Sequence, residues 1–275
     1  MADVLKAACV QINGAAEIEE NLKTVGAYVR EAAGRGAKLI VMPENTCHMV
    51  RDERKIITSP REKDHPAIPF FSELAKGLGV WLLIGSLAVR TSRTQLANRS
   101  FLFSDNGDIA ATYDKIHMFD VDLNDDKSYR ESRAVQPGKK AVVAKTPWGG
   151  LGMSICYDVR FAYLYRDLAK AGANIMAVPA AFTVPTGKAH WEVLLRARAI
   201  ETGSFVLAPA QIGTHDGGRK TWGHSMIIGP WGEILAAAGT EPGIITADLN
   251  MDEVARARQS IPSLKHDKKY KVVTA

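Results

Sequence analysis

Residues 151–178 read LGMSICYDVRFAYLYRDLAKAGANIMAV, and the fold class follows from this stretch. Strand character over Leu151–Ile155 gives way to a helix around Tyr163–Ala171 and then to an apolar strand over Asn174–Val178. The alternation continues in both directions. Downstream come a helix over Ala189–Glu201 and a strand over Ser204–Ala210. Upstream, Val4–Ile12 reads as a strand, and Ile18, Leu22, Val25, Val29 and Ala32 recur at helical spacing until Gly34 and Gly36 end the helix. Ala37–Met42 is a short, mostly apolar strand that stops at Pro43-Glu44, and a helix through Phe70–Leu78 leads to a strand over Val80–Gly85. Turn sequences at 105–108, 147–150, 229–232 and 241–243 add hairpins, with strands near Ser225–Ile228, Glu233–Ala237 and Ile244–Leu249 and a last helix over Met251–Gln259. Ile116–Pro137 shows neither period and is expected to be the longest loop, a place to look for site residues. No composition shift marks a linker, so the expectation is one domain spanning 1–275, of class α/β or α+β with mixed sheets.

Composition narrows the function classes. A hydrophobic fraction of 46% and a charged fraction of 24% describe an ordinary folded protein. No apolar run approaches the ~18 residues that a membrane span needs. The N-terminus carries Asp3 and alternates like a strand, so no secretion signal is expected. Thirty-five basic residues against 30 acidic ones give a net charge of +5, but the two signs are interleaved and the one compact basic cluster, Lys265–Lys271, is a terminal tail. A nucleic-acid partner is therefore not expected. Three cysteines, Cys9, Cys47 and Cys156, point away from a disulfide framework and towards a reducing cytoplasm.

Nucleotide fingerprints fail, because Gly150-Leu151-Gly152 lacks a third glycine and no Gly-Lys-Ser/Thr ends a glycine loop, and a hydrolase elbow of the Gly-x-Ser-x-Gly type is also missing, although Ser154 lies close to where one would sit. The strand over 151–155 instead delivers Cys156 to a sharp strand-to-helix turn, where a nearby helix N-terminus favours a thiolate. The bland alternative is a small buried hydrophobe. A thiol nucleophile needs a proton acceptor and a partner for the oxyanion. Glu44 at its strand end suits the first role and Lys115, after Tyr113-Asp114, the second, with Glu131 in the long loop able to pair with Lys115. Each of these alone reads as a solvated surface charge. His117, His190 and His224 offer a rival Cys–His hydrolase, with no context selecting among them, and a catalytically silent scaffold is the non-enzymatic alternative.

Taken together, the chain resembles the nitrilase superfamily of carbon–nitrogen hydrolases over nearly its whole length. The resemblance rests on Val41-Met42-Pro43-Glu44, Tyr113-Asp114-Lys115-Ile116-His117, Arg130-Glu131-Ser132 and the run from Gly152 through Cys156 to Phe161. Ala189-His190-Trp191-Glu192, Trp222-Gly223-His224-Ser225 and Pro230-Trp231-Gly232-Glu233 extend it. It implies a four-layer αββα sandwich that assembles as a homodimer or larger through its helices. It also implies Cys156 as nucleophile, Glu44 as general base, Lys115 with the Tyr157 backbone N–H at the oxyanion, Glu131 in support, and no cofactor or metal. For Glu44 to return a proton to departing ammonia, its pKa is expected to be lifted towards neutrality by burial.

Within the superfamily the chain is similar to the omega-amidase and deaminated-glutathione amidase branch, and closer to the latter through Ala181-Phe182-Thr183, Thr186-Gly187, residues 193–201 and Ala210-Gln211. That implies a small anionic 2-oxo acid amide as substrate, bound by Arg160, Phe182 and Thr186. A guanidinium four residues after the nucleophile can hold a carboxylate bidentately, the alternative being an ion pair with Asp158 or Asp167. Omega-amidase activity on 2-oxoglutaramate and hydrolysis of N-carbamoyl amino acids are the neighbouring alternatives. The branch commonly continues with Pro-Glu-Leu after Phe161, whereas Ala162-Tyr163-Leu164 stands here and puts the pocket wall in question.

Overall fold

The computed structural model describes residues 4–50, 58–123 and 127–274. Asp3 of the N-terminal reading lies outside them, as do residues 124–126 of the expected long loop.

Two six-stranded sheets carry the fold. The first comprises β1 (Val4–Gln11), β2 (Leu39–Val41), β3 (Trp81–Arg90), β4 (Leu96–Phe103), β5 (Ile109–Asp114) and β16 (Gly243–Asn250), in the order β16–β1–β2–β3–β4–β5. A hairpin of β6 (Asp120–Leu123) and β7 (Lys127–Arg130) stands apart. The second sheet comprises β8 (Val142–Thr146), β9 (Gly149–Met153), β10 (Ala173–Ala177), β11 (Phe205–Ala208), β14 (Met226–Ile228) and β15 (Ile234–Ala237), in the order β15–β14–β11–β10–β9–β8. Between its strands, β12 (Ile212–Thr214) and β13 (Lys220–Trp222) form a separate ribbon. Each large sheet has three parallel central strands flanked by antiparallel ones, so the second half of the chain does repeat the first.

Period-two alternation sorts the side chains of β1 between two cores. Leu5, Ala7 and Cys9 face the second sheet, while Ala8, Val10 and Ile12 pack under α1 (Ile18–Gly34) and α2 (Ala67–Leu78). On the far side of the second sheet, α3 (Ala162–Lys170) and α4 (Val184–Thr202) contribute Leu164, Leu168, Trp191, Leu195 and Ala199. The layers are therefore αββα, as expected. Small residues at the inter-sheet face, Ala7, Cys9 and Ala177, allow close approach of the two sheets. The last helix, α5 (Asp252–Ser260), comes directly after β16.

Two expectations are corrected. The 116–137 stretch holds the β6–β7 hairpin and a short 3-10 turn at Glu131–Arg133, because four-residue polar strands give too short an alternation to stand out. Helix α4 begins at Val184 rather than Ala189. Pro185 sits in its first turn, where a missing N–H costs nothing, and Gly187 is needed because a Cβ there would meet Trp222 at 2.3 Å. Both residues look like helix breakers in isolation.

One glycine positions the site. A Cβ on Gly85 of β3 would lie 2.0 Å from the Met42 carbonyl oxygen and 2.3 Å from that of Pro43, the residues that lead into Glu44. The register between β3 and β4 slips just there, between Ile84 and Leu87. Gly85→Ala is expected to lower Tm by at least about 4 °C, whereas a methyl at Gly77 in α2 meets nothing within 4 Å, and Gly77→Ala should leave Tm unchanged or raise it. A melting curve at the wild-type Tm for Gly85→Ala would show that the 42–44 turn does not lean on β3.

Candidate active site

Side chains with chemistry collect where the parallel strands end. Glu44 follows β2, Cys156 follows β9, and residues 180–183 and 209–211 follow β10 and β11. Gln211 staples the two sheets at this seam: its Oε1 accepts from Gly14 N at 2.9 Å and its Nε2 donates to the Glu44 carbonyl at 3.0 Å. The Glu44 turn is closed by Ser86, whose Oγ accepts from Asn45 N at 2.8 Å and whose carbonyl accepts from Thr46 N at 3.0 Å. Asn45 itself takes a left-handed φ of 54°.

Lys115, only 2% exposed, is held between two carboxylates. Its Nζ donates to Glu44 Oε1 at 2.8 Å and to Glu131 Oε2 at 2.9 Å. Asn98 of β4 crosslinks the same pair, its Nδ2 donating to Glu44 at 3.0 Å and to Glu131 at 3.2 Å. Glu131 also accepts from Phe119 N at 2.7 Å. The surface-charge reading of these residues is thus replaced by a buried cluster. Just before Lys115, Asp114 accepts a bidentate pair from Arg99, at 2.6 and 2.8 Å, which anchors the end of β5.

Cys156 stands beside this cluster, buried and close enough for its thiol to feel the Glu44 carboxylate, the Lys115 ammonium and the Ala181 backbone. Its φ of 51° places a side chain bearing a Cβ in the left-handed region, a strained position that a tight elbow enforces. The elbow opens a five-residue 3-10 turn, Cys156–Arg160, and α3 starts only at Ala162. Asp158, fully buried, organises that turn. Its Oδ2 accepts from Ile155 N at 2.8 Å and from the Tyr113 hydroxyl at 2.7 Å, and its Oδ1 accepts from His117 N at 3.1 Å and His117 Nδ1 at 2.7 Å. Sequence reasoning assigns no place in the site to Asp158 or Asn98; nothing local to either residue marks it.

Of the expected residues, Glu44, Lys115, Glu131, Cys156, Tyr157, Phe182 and Thr186 line one cavity, and Arg160 does not. The Arg160 guanidinium lies over the rings of Tyr157 and Phe182 at 5.7 and 5.4 Å and approaches His190 Nδ1 at 3.3 Å; it pairs with neither Asp158 nor Asp167. The departure at 162–164 also stays off the cavity wall. Tyr163 is 61% exposed and meets His117 Nε2 through its hydroxyl at 2.6 Å. The rival bases are engaged elsewhere: His117 with Asp158, His190 with Arg160, and His224 stacked on Trp222 at 4.3 Å.

Electrostatics correct two expectations. Burial alone would raise the Glu44 pKa, but the Lys115 ammonium outweighs it and holds the carboxyl below its ordinary range. Burial, reinforced by the Glu44 carboxylate, pushes the Cys156 thiol well above its ordinary value despite Lys115. The resting pair is therefore carboxylate and thiol, not acid and thiolate. The proton crosses from Sγ to Glu44 only as sulfur attacks.

A base of depressed pKa stays ionised until the pH falls below the usual carboxylate range. Activity should accordingly be flat across neutrality and lost only in more acidic solution, while the ultraviolet thiolate band of Cys156 should be absent at neutral pH. An acid limb near neutrality in kcat/KM, or a thiolate band in the resting protein, would contradict this charge state.

The chain matches the carbon–nitrogen hydrolase family over residues 6–259. The deaminated glutathione amidase of Synechocystis sp. (strain PCC 6803 / GT-S) is 41% identical over 269 residues, covering 94% of this chain and 97% of the relative. The human protein of the same name is 37% identical, with 95% and 81% covered. Among solved structures, the C. elegans NitFhit protein superposes with a TM-score of 0.89 at 30% identity over 98% of this chain, which spans 66% of that one. Saccharomyces cerevisiae Nit3, a member of branch 10 of the nitrilase superfamily, gives 0.86 at 28% identity, with 96% of each chain covered. An amidase mutant from Nesterenkonia sp. AN1, with a TM-score of 0.79 at 25% identity and 94% and 98% covered, carries the product of Michael addition of acrylamide at its active-site cysteine. Sequence and superposition agree along nearly the whole chain, which belongs to the carbon–nitrogen hydrolase family within the nitrilase superfamily.

Proposed function

We propose that this single 1–275 unit is an amidase for small anionic 2-oxo acid amides, deaminated glutathione foremost, and that Cys156 is its nucleophile. One observation carries the reading: a buried Glu44–Lys115–Glu131 cluster set directly against a thiol at a strained elbow. The substrate class is supported by the relatives of that name at 37% to 41% identity over most of the chain.

In this mechanism Sγ bonds to the amide carbon while its proton passes to Glu44. The developing oxyanion is met by the Lys115 ammonium and the Tyr157 backbone N–H, and Glu131 keeps the lysine aimed. Glu44 then protonates the nitrogen, the carbon–nitrogen bond breaks, and a thioester remains. The leaving amine is ammonia from a primary amide and the peptide amine from deaminated glutathione. Water gives its proton to Glu44 and adds to the thioester, the carbon–sulfur bond breaks, and sulfur recovers its proton. No cofactor enters these steps. Arg160, Phe182 and Thr186 complete the substrate-binding set, with Phe182 and Thr186 on the cavity wall and the Arg160 guanidinium behind the Phe182 ring.

The same reading has the protein in the cytoplasm, where buried thiols Cys9, Cys47 and Cys156 stay unpaired. No helix among the described residues is long and apolar enough to cross a membrane. A homodimer or larger assembly joined through the outer helices would cover Tyr163, Val193 and Ile200, large side chains exposed on α3 and α4.

Two variants test the chemistry. Cys156→Ser should abolish turnover and the acyl adduct seen by intact mass after quench, while Cys9→Ala and Cys47→Ala keep both; normal turnover by Cys156→Ser would end the proposal. Lys115→Arg preserves charge but spreads it over a planar fork too large for the space between two carboxylates, and kcat should fall at least ~100-fold. Carbon dioxide released alongside ammonia would instead identify an N-carbamoyl substrate.

A further inference from the structure

Among the described residues three cations line the cavity, and they differ in what neutralises them. Lys115 faces Glu44 and Glu131. Arg130 donates to both oxygens of Asp122, at 2.7 and 2.8 Å. Arg219 is brought in by the turn between β12 and β13, and its Nη2 donates to the Ala181 carbonyl at 3.0 Å. Among the described residues it has no carboxylate within ion-pair distance, and its Nε is buried with no hydrogen-bond partner. Ala181 lines the cavity together with Cys156, and its backbone is felt by the thiol, so this guanidinium is held at the nucleophile's side of the cavity.

A buried guanidinium N–H left unpartnered is costly, and such atoms mark where a ligand belongs. Two more buried polar atoms without partners among the described residues, His48 Nε2 and Asn98 Oδ1, belong to side chains lining the same cavity. The planar fork of Arg219 matches a carboxylate, which accepts two parallel bonds from Nε and a terminal nitrogen. A more highly charged anion suits the place less, because the Glu44 carboxylate is close enough to feel Arg219. We infer that Arg219 is a specificity-determining residue that anchors a carboxylate of the amide substrate, a role separate from that of Arg160 outside the cavity lining. The inference rests on the amidase reading of Cys156. The carboxylate can belong to the acyl part, as in a 2-oxo acid, or to a departing peptide.

The test compares wild type, Arg219→Gln and Arg219→Lys on 2-oxoglutaramate, deaminated glutathione and uncharged butanamide. Arg219→Gln should lower kcat/KM by about 10- to 150-fold on an anionic amide, chiefly through KM, and leave butanamide within about threefold, with Arg219→Lys intermediate. Loss on both anionic amides, with weaker inhibition by 2-oxoglutarate, assigns the acyl-side carboxylate. Loss on deaminated glutathione alone, with weaker inhibition by cysteinylglycine, assigns the leaving side. Unchanged kinetics on both anionic amides overturn the inference, and so does an equal fall on all three, which would make Arg219 a prop for the Ala181 peptide. Failure of the amidase reading is distinguishable, since wild type would then turn over none of the three; calorimetric binding of 2-oxoglutarate and cysteinylglycine to wild type and Arg219→Gln still decides whether the anchor exists.

Discussion

An ammonium buried between two carboxylates governs this structure. Each ion taken out of water costs several kcal/mol, and the mutual attraction offsets this only when geometry is tight and the remaining polar atoms are bonded. Lys115, Glu44 and Glu131 meet that condition through Asn98 and the Phe119 N–H. The cluster carries one negative charge more than positive, and burial, reinforced by the Glu44 carboxylate, keeps the neighbouring thiol protonated. A site of this kind stores its base ready and its nucleophile quiet, which protects a buried sulfur from reagents that seek thiolates.

The two sheets divide the work. The first contributes two charges, Glu44 from the turn after β2 and Lys115 just past β5, and the amide of Asn98 from β4 that ties Glu44 to Glu131. The second contributes the nucleophile and its elbow at the end of β9. Asp158 joins them, since two of its donors, Tyr113 and His117, come from β5 and the segment after it while a third is the elbow's own Ile155 N–H. The position of the sulfur relative to its base is thus set by bonds that cross between layers.

Much of this is legible in the sequence, for identifiable reasons. Glu44 and Cys156 end apolar strands, and strand ends in parallel sheets are where side chains meet a crevice. Helix α4 reads short because Pro185 and Gly187 resemble breakers, although one suits a first helical turn and the other makes room for Trp222. The β6–β7 hairpin reads as loop because its strands are four residues long and polar. The charge states are not legible at all, because the pKa of Glu44 depends on Lys115, 71 residues away, and no local pattern reports that distance. Arg219 follows Gly217-Gly218 in what looks like an ordinary exposed turn; its burial at Nε arises only when that ribbon folds over the strand ends.

The Gln211 staple bears on how such a protein wears out. Sliding one sheet past the other by a single residue step, about 3.3 Å, would leave most apolar contacts of the sandwich replaceable by their neighbours. The bonds from Gln211 to Gly14 and to the Glu44 carbonyl have no such replacement, and neither has the contact between carboxylate and thiol. The seam is therefore a gauge of inter-sheet alignment far more sensitive than the core itself. On warming or ageing, silent but still folded molecules should accumulate before any unfolded ones.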